Sequence, residues 1–237
     1  MSVYFEFLKQ YSDDSKNLVI GLVRDKTGTE KKVAAELGNR PNVHILHADL
    51  TKYASLKQAA ADTAEIVGER GVDYLITNGA LVPLFDAYGP IGDLSDDPEG
   101  IDAVGSELWQ TNVVGNIHLF HLFLPLVLKG KVKKTASKAA VNAIVSRFSA
   151  QYKKDGVLFL SISPGLVEVG HYADATPKQL QGFGSFVEKL LAYAPDLKGP
   201  ITPEESVRHV ISTIDKASIE GGHGGAFISH MRNKKWV

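Results

Sequence analysis

The chain has 237 residues, 44% hydrophobic and 22% charged, which is enough for one sizeable core. A net charge of −1 excludes a broad cationic field for nucleic acid, and the absence of cysteine excludes disulfides, a thiol nucleophile and a cysteine-metal site. No apolar run reads as the roughly 18 residues of a bilayer span. The start, MSVYFEFLKQYSDD, lacks the pattern of a secretory signal, so a soluble cytoplasmic protein is expected.

In chain order, Ser2-Val3-Tyr4 could begin a strand, and Phe5 to Tyr11 reads as the end of a helix. Asn17 to Val23 is an apolar strand that ends at Arg24-Asp25-Lys26. A short helix follows over Lys31–Leu37, then a strand over Val43–His47 leading into Asp49-Leu50-Thr51. Ser55-Leu56-Lys57-Gln58 has the form of a capping box, so a helix is predicted from Ser55 to Glu69, packing through Ala59, Ala60, Ala64 and Val67. Val72 to Thr77 is a strand that runs into Asn78-Gly79-Ala80. The stretch from Leu81 to Gly105 reads as a mobile, acidic connection, and Ser106 to Leu128 as a long helix.

The most informative stretch is Thr135 to Gly165, TASKAAVNAIVSRFSAQYKKDGVLFLSISPG. Ala136, Ala139, Ala140, Ala143, Ile144 and Phe148 recur at helical spacing. Gly156 stops that helix, and Val157 to Ile162 is an apolar run suited to a parallel strand covered on both faces. Pro164-Gly165 breaks the strand at its carboxyl end, where ligands bind in open parallel sheets. Beyond it, Phe183, Phe186, Leu190, Leu191 and Tyr193 form either an apolar lid or plain core packing. Thr202-Pro203-Glu204-Glu205 starts a helix that runs to Lys216, Gly221 to Gly225 is a turn, and Ala226 to Ser229 is the last strand.

SKAAVNAIV and SPGLVEV resemble the active-site helix and the Pro-Gly nicotinamide loop of the short-chain dehydrogenase/reductase family, of carbonyl reductase type. The resemblance covers nearly everything from Asn17 to Ile228. It implies an α/β fold: a single-domain, doubly wound, Rossmann-like parallel sheet in three α/β/α layers over residues 1–237, with a substrate-covering region at about 168–200. It also implies hydride transfer between NADP(H), with NAD the lesser alternative, and a carbonyl/secondary-alcohol pair.

The resemblance further implies roles for individual residues. Arg24, first after its strand, would pair with the 2′-phosphate of NADP, unless it is an ordinary solvated arginine beside Asp25. Asp49 and Leu50 would lie by the adenine, or Asp49 caps a helix; both can hold. Asn78, Gly79 and Ala80 would let the backbone approach the cofactor, and Pro164, Gly165 and Val167 would meet the nicotinamide. Lys138 would hold the nicotinamide ribose and act in catalysis. Asn112, in Thr111-Asn112-Val113-Val114-Gly115, would kink its helix and complete a proton relay, or is a buried asparagine bonded to backbone. His118 and His121 suggest interface packing, and no metal site is expected. The helices 106–128 and 136–152 imply a homodimer.

The departures are as specific as the matches. No glycine lies between Met1 and Lys16, so the phosphate loop is absent. Lys134 stands four residues before Lys138, where the family has its catalytic tyrosine, and the serine that precedes it in the family is not found. On this reading no strand separates the two long helices, and Lys134 would repel Lys138 one helical turn away. The chain is expected to show a break in peptide geometry between Tyr4 and Phe5 and between Lys134 and Thr135, as in an enzyme that lacks two loops. The alternative is a catalytically inactive member acting as a binding or scaffold protein.

Overall fold

All the strands described are parallel, and they fall into two sheets. β1 (Val19–Val23) pairs with β2 (Val43–His47). β3 (Tyr74–Thr77), β4 (Lys134–Ser137), β5 (Leu158–Ser163) and β6 (Phe227–Ser229) form the second sheet in that order. The computed structural model describes residues 2–82, 95–138, 141–170 and 176–233. The helices are α1 (Val3–Ser12), α2 (Lys26–Leu37), α3 (Tyr53–Val67), α4 (Pro98–Leu108), α5 (Gly115–Lys129), α6 (Asn142–Tyr152), α7 (Pro177–Tyr193) and α8 (Pro203–Lys216).

Layering follows from the side chains of β5, which alternate between two cores. Phe159 enters a cluster with α3, α5 and α6, while Leu158, Leu160 and Ile162 enter another with Val210 and Ile214 of α8. A strand covered on both faces has no polar face to alternate with, which is why this run is apolar throughout. The three-layer α/β/α arrangement expected from the sequence is present.

β4 was not expected. Its sequence, KTAS, is short and half polar, with no strand signature of its own. Tertiary pairing makes it a strand: Lys134 to Ser137 lie in register with Tyr74 to Thr77 on one side and Leu158 to Ser161 on the other. Asp73 sets the start, since its carboxylate accepts from Lys131 N at 2.7 Å and Val132 N at 3.0 Å while its carbonyl accepts from Lys134 N at 2.9 Å. The following helix therefore begins at Asn142, not near Ala136, which is a buried strand residue; Ala139 and Ala140 lie outside the described residues. The chain also runs unbroken as helix through Tyr4-Phe5 and as strand through Lys134-Thr135. The two expected breaks are absent.

Other expectations shift by less. α2 starts at Lys26 because Asp25 caps it, accepting from Gly28 N at 2.9 Å. α3 starts at Tyr53, and Ser55 does not cap it; its hydroxyl instead accepts from Asp49 N at 3.1 Å. Part of the expected 81–105 connection is α4, capped by Asp97, while residues 83–94 lie outside the described residues. α4 passes through a π-helical segment, Trp109–Val114, directly into α5. The continuous helix Pro98–Lys129 is long and apolar enough to cross a bilayer, but 56% of its most apolar window is buried in the protein, as suits a core helix. Thr202 caps α8 as expected, accepting from Glu205 N at 3.1 Å.

α1 sits where the two sheets part. Phe5 and Leu8 pack with Val33, Leu37 and Ile45 around β1 and β2. Phe7 joins the cluster around β3 to β5, and Tyr11 packs its ring 6.1 Å from that of Tyr74. Val3 and Tyr4 thus belong to the helix, with Ser2 the extended residue before it, and the expected strand is not formed there. The seat is imperfect. Glu6 is fully buried and answered only by Lys9 at 3.8 Å and Gln10 at 3.3 Å, and the buried Tyr11 hydroxyl has no hydrogen-bond partner. Phe5→Ala should cost about 3–5 kcal/mol in urea unfolding, as for a fully buried aromatic, whereas Tyr4→Ala at the exposed face should cost under about 1. Equal effects would show that α1 is not a structural wedge.

Candidate active site

The expected site residues converge at the carboxyl edge of the strands. β1 ends at Arg24, β2 at Asp49-Leu50, β3 at Asn78-Gly79-Ala80, β4 at Ser137-Lys138 and β5 at Pro164-Gly165. The register places Thr77, Ser137 and Ser161 side by side on β3, β4 and β5, and the hydroxyls of Ser137 and Ser161 are 3.2 Å apart.

Lys138 lies between two small cavities, one on each side of the sheet edge. The first encloses about 30 Å3 and is lined by Thr77, Asn78, Ser137 and Pro164 together with Val3 and Phe7 of α1. The second, about 10 Å3, is lined by Thr77, Gly79, Ala80, Asn112 and Asn116. Such volumes admit one or two waters. Burial lowers the Lys138 amine from its ordinary range, and no carboxylate acts on it to restore the charge.

Lys134 behaves differently from the expectation that it would repel Lys138. It stands at the opposite end of β4, where its Nζ donates to the carbonyls of Ile214 and Asp215, each at 2.9 Å. These are last-turn carbonyls of α8, the negative end of a helix dipole. Lys134 is therefore a structural cap, and it faces away from the site.

Asn112 lies within the π-helical segment. Its Oδ1 accepts from Leu81 N at 2.7 Å and its Nδ2 donates to Leu81 O at 2.9 Å, so its side chain pins the turn after Asn78-Gly79-Ala80. This is the backbone-bonded alternative. Asn116, one turn on, donates to Asn112 O at 2.8 Å, while its Oδ1, like Thr77 Oγ1, is buried beside the Lys138 cavity without a partner among the described residues. Ser137, Thr77 and Asn116 are the residues that sequence reasoning missed. The i, i+4 pair Asn112/Asn116 was a visible signal, while Ser137 required knowing that β4 is a strand.

At the other end of the edge, Asp49 accepts from Thr51 N at 2.9 Å and Thr51 Oγ1 at 2.7 Å. These bonds, then Lys52 and Arg24 against the opposing effect of burial, hold its carboxyl below the usual range. Arg24 is exposed and makes no salt bridge among the described residues. Leu50 fills the space beside two glycines: a Cβ on Gly79 would lie 3.1 Å from Leu50 Cδ1, and one on Gly115 only 2.5 Å from Leu50 O. The first and second halves of the site are thus packed against one another. Val167 bridges to Ile201, which ties the loop after Gly165 to the segment before α8. His118 and His121 pack on the rings of Tyr53 and Phe148 at 5.0 and 5.1 Å, and among the described residues no cluster could hold a metal. The side chains of Phe183 and Phe186, the expected lid, lie outside the described residues.

Parallel strands between layers of helices, with Lys138, Asn78 and a Pro-Gly turn at their carboxyl edge, define a Rossmann-like fold with its crevice at that edge. No family model matches the chain. A short-chain dehydrogenase/reductase of Pestalotiopsis fici is 54% identical over 258 residues, covering 98% of this chain and 95% of the relative. A short-chain dehydrogenase of Hypocrea virens is 47% identical over 259 residues with the same coverage. Among solved structures, NADPH-bound carbonyl reductase from chicken fatty liver superposes with a TM-score of 0.73 at 19% identity, covering 98% of this chain and 93% of that one. An actinorhodin polyketide ketoreductase with NADPH gives 0.70 at 15%, covering 96% and 90%. The chain belongs to the short-chain dehydrogenase/reductase family and is an oxidoreductase of that type. The scaffold alternative finds no support among these relatives. Both alignments are longer than the 237 residues of this chain, so the two relatives carry residues without a counterpart here.

A half-buried lysine whose amine is lowered by burial makes the fold less stable while it must carry charge. Between its folded and unfolded pKa the unfolded chain binds the extra proton, so this contribution to stability rises with pH. Lys138→Met should therefore be more stable than wild type near neutrality, and its advantage should shrink as pH approaches the ordinary lysine value of 10.5. Urea titrations of both proteins across that range measure it; a difference that does not vary with pH would contradict the lowering of the amine by burial.

Proposed function

We propose that the protein uses NADP(H) to interconvert a carbonyl and a secondary alcohol at the edge formed by β3, β4 and β5. The observation that supports this reading is the placement of Thr77, Ser137, Lys138 and Pro164-Gly165 at the carboxyl ends of three neighbouring strands. The residues present fit the cofactor at both ends. Arg24 offers an unpaired guanidinium for a 2′-phosphate, and Asp49-Leu50 lies beside it. Lys138, Asn78 and the Pro164-Gly165-Val167 turn surround the other end, where two buried polar atoms, Thr77 Oγ1 and Asn116 Oδ1, lack partners. The bound cofactor supplies the hydride.

This chain's residues supply the rest. Ser137 Oγ, held 3.2 Å from Ser161 Oγ, is placed to hydrogen-bond a substrate oxygen at the end of β4. Lys138 Nζ is the titratable group nearest that serine in sequence and, with its amine lowered by burial, can release a proton to a developing alkoxide. Asn112 fixes the loop that follows Asn78-Gly79-Ala80. No glycine turn cradles the pyrophosphate. The start of α1 is the helix end nearest that place: Ser2 makes no side-chain cap, and Val3 lines the Lys138 cavity. Val3 and Phe7 also fill one side of the crevice, so binding requires the first turn of α1 to give way. The poorly partnered Glu6 makes that seat less costly to leave.

Titration of NADPH and NADH into wild type and Arg24→Ala, alongside NADPH oxidation with a panel of aryl ketones, tests the reading. Wild type should prefer NADPH and the variant should lose about 1.5–3 kcal/mol of that preference, roughly a ten- to hundredfold change. No ketone-dependent consumption of NADPH would overturn the function, and equal affinity for both nucleotides would overturn the role of Arg24.

We also propose a homodimer through α4–α5 and α6, the second helix starting at Asn142. Trp109, 61% exposed, and Ile101, 42% exposed, support it as apolar surface on the long helix. Light scattering should give a dimer at micromolar concentration and a monomer for Trp109→Glu; a monomeric wild type would remove this reading.

A further inference from the structure

The turn after β5 rests on the segment after β6. His230 N donates to Ser163 O at 2.8 Å, and Thr213 Oγ1 of α8 donates to His230 O at 2.8 Å. Ser206 Oγ, also of α8, donates to Pro164 O at 2.8 Å. The His230 ring lies directly against Gly165, where a Cβ would fall 2.5 Å from its Cε1. Gly165 itself has φ +82°, a conformation that strains any residue with a side chain. The ring is thus the surface on which the Pro-Gly turn is laid.

His230 is 7% exposed, and its Nδ1 is buried without a hydrogen-bond partner among the described residues. A second proton on that ring would create a buried charge with an unsatisfied donor. The groups acting on it come from α8: the ring of His209 at 5.8 Å, and Glu205, whose carboxylate lies 3.8 Å from His209 Nε2. β5 and its turn add only Ser163, Pro164 and Gly165, and the segment after β6 adds Arg232, which is exposed. Burial first, and His209 second, hold the ring below its ordinary value, with Glu205 pulling the other way.

We propose that His230 is a positioning residue for the cofactor-facing turn, its neutral ring seating Ser163-Pro164-Gly165 and its protonation unseating them. The cofactor-facing role of that turn rests on the function proposed above; the seating itself does not. Nothing in the sequence marks His230 as part of the site, since it follows the last strand.

Hydrogen exchange of the Gly165, Glu168 and His230 amides, corrected for intrinsic rate, reads the seating without any turnover. In wild type these amides should exchange about tenfold faster at about pH 5.5 than at about pH 7.5. His230→Gln, which cannot gain the charge, should lose that dependence. His209→Gln, which removes a like charge and leaves the turn untouched, should move the midpoint to higher pH; it serves also if His230→Gln does not fold. A pH-independent wild type, a His230→Gln that responds as wild type does, or an unmoved midpoint in His209→Gln would overturn the proposal. NADPH added at about pH 7.5 should slow exchange at the same amides. If NADPH has no effect while the pH response persists, the nucleotide reading fails and the role of His230 stands.

Discussion

Lys134 to Ser137 is paired on both sides, to β3 and to β5, and the molecule depends on that double ladder. A parallel sheet buried on both faces has no water to satisfy an unpaired edge, and each lost backbone partner costs on the order of 1–3 kcal/mol. Four residues with weak strand preference are held extended because the alternative exposes two edges inside the core. The same ladder sets the site. It aligns Thr77, Ser137 and Ser161, and it delivers Lys138 to the sheet edge with its amine between two cavities.

The lysines at the two ends of β4, Lys134 in its first position and Lys138 just past its last, show how position decides chemistry where residue type does not. Lys134 reaches the carboxyl end of α8, where helix carbonyls satisfy its ammonium. Lys138, four residues on, is at the other end of the strand and is lowered by burial alone. Read as one helix, they are neighbours that repel. Read as a strand, they are separated by its length, and only one is available for chemistry.

Much of this was legible from the sequence. Long apolar periodic elements carry their own signal, so β1, β2, β5, α5 and α8 stand close to where composition and capping residues put them. Residues at strand ends came with them: Arg24, Asp49, Asn78, Pro164 and Gly165 all reach one edge. What failed was what tertiary pairing alone decides. KTAS has no strand pattern, and the SKAAVNAIV match extended the helix over it. Ser55 imitated a capping box but instead bonds Asp49 N, because α3 begins two residues earlier. Thr77 and His230 have no local signature, since each matters through a neighbour far away in sequence.

The parting of the sheet between β1 and β3 is the remaining constraint, and it links architecture to chemistry. α1 fills that gap with Phe5 on one side and Phe7 on the other, so one helix carries both the packing of β1 and β2 and the wall of the Lys138 cavity. Its apolar contacts fix it in place, while fully buried Glu6 and the partnerless Tyr11 hydroxyl weigh against them. Leu50, wedged beside Gly79 and Gly115, provides the second link between the halves, and it does not involve α1. The strand-end loops are therefore held to one another by contacts independent of α1. The architecture thus pairs a strand edge bearing Lys138 and Pro164-Gly165 with a neighbouring wall, α1, whose apolar contacts are offset in part by poorly satisfied buried polar groups.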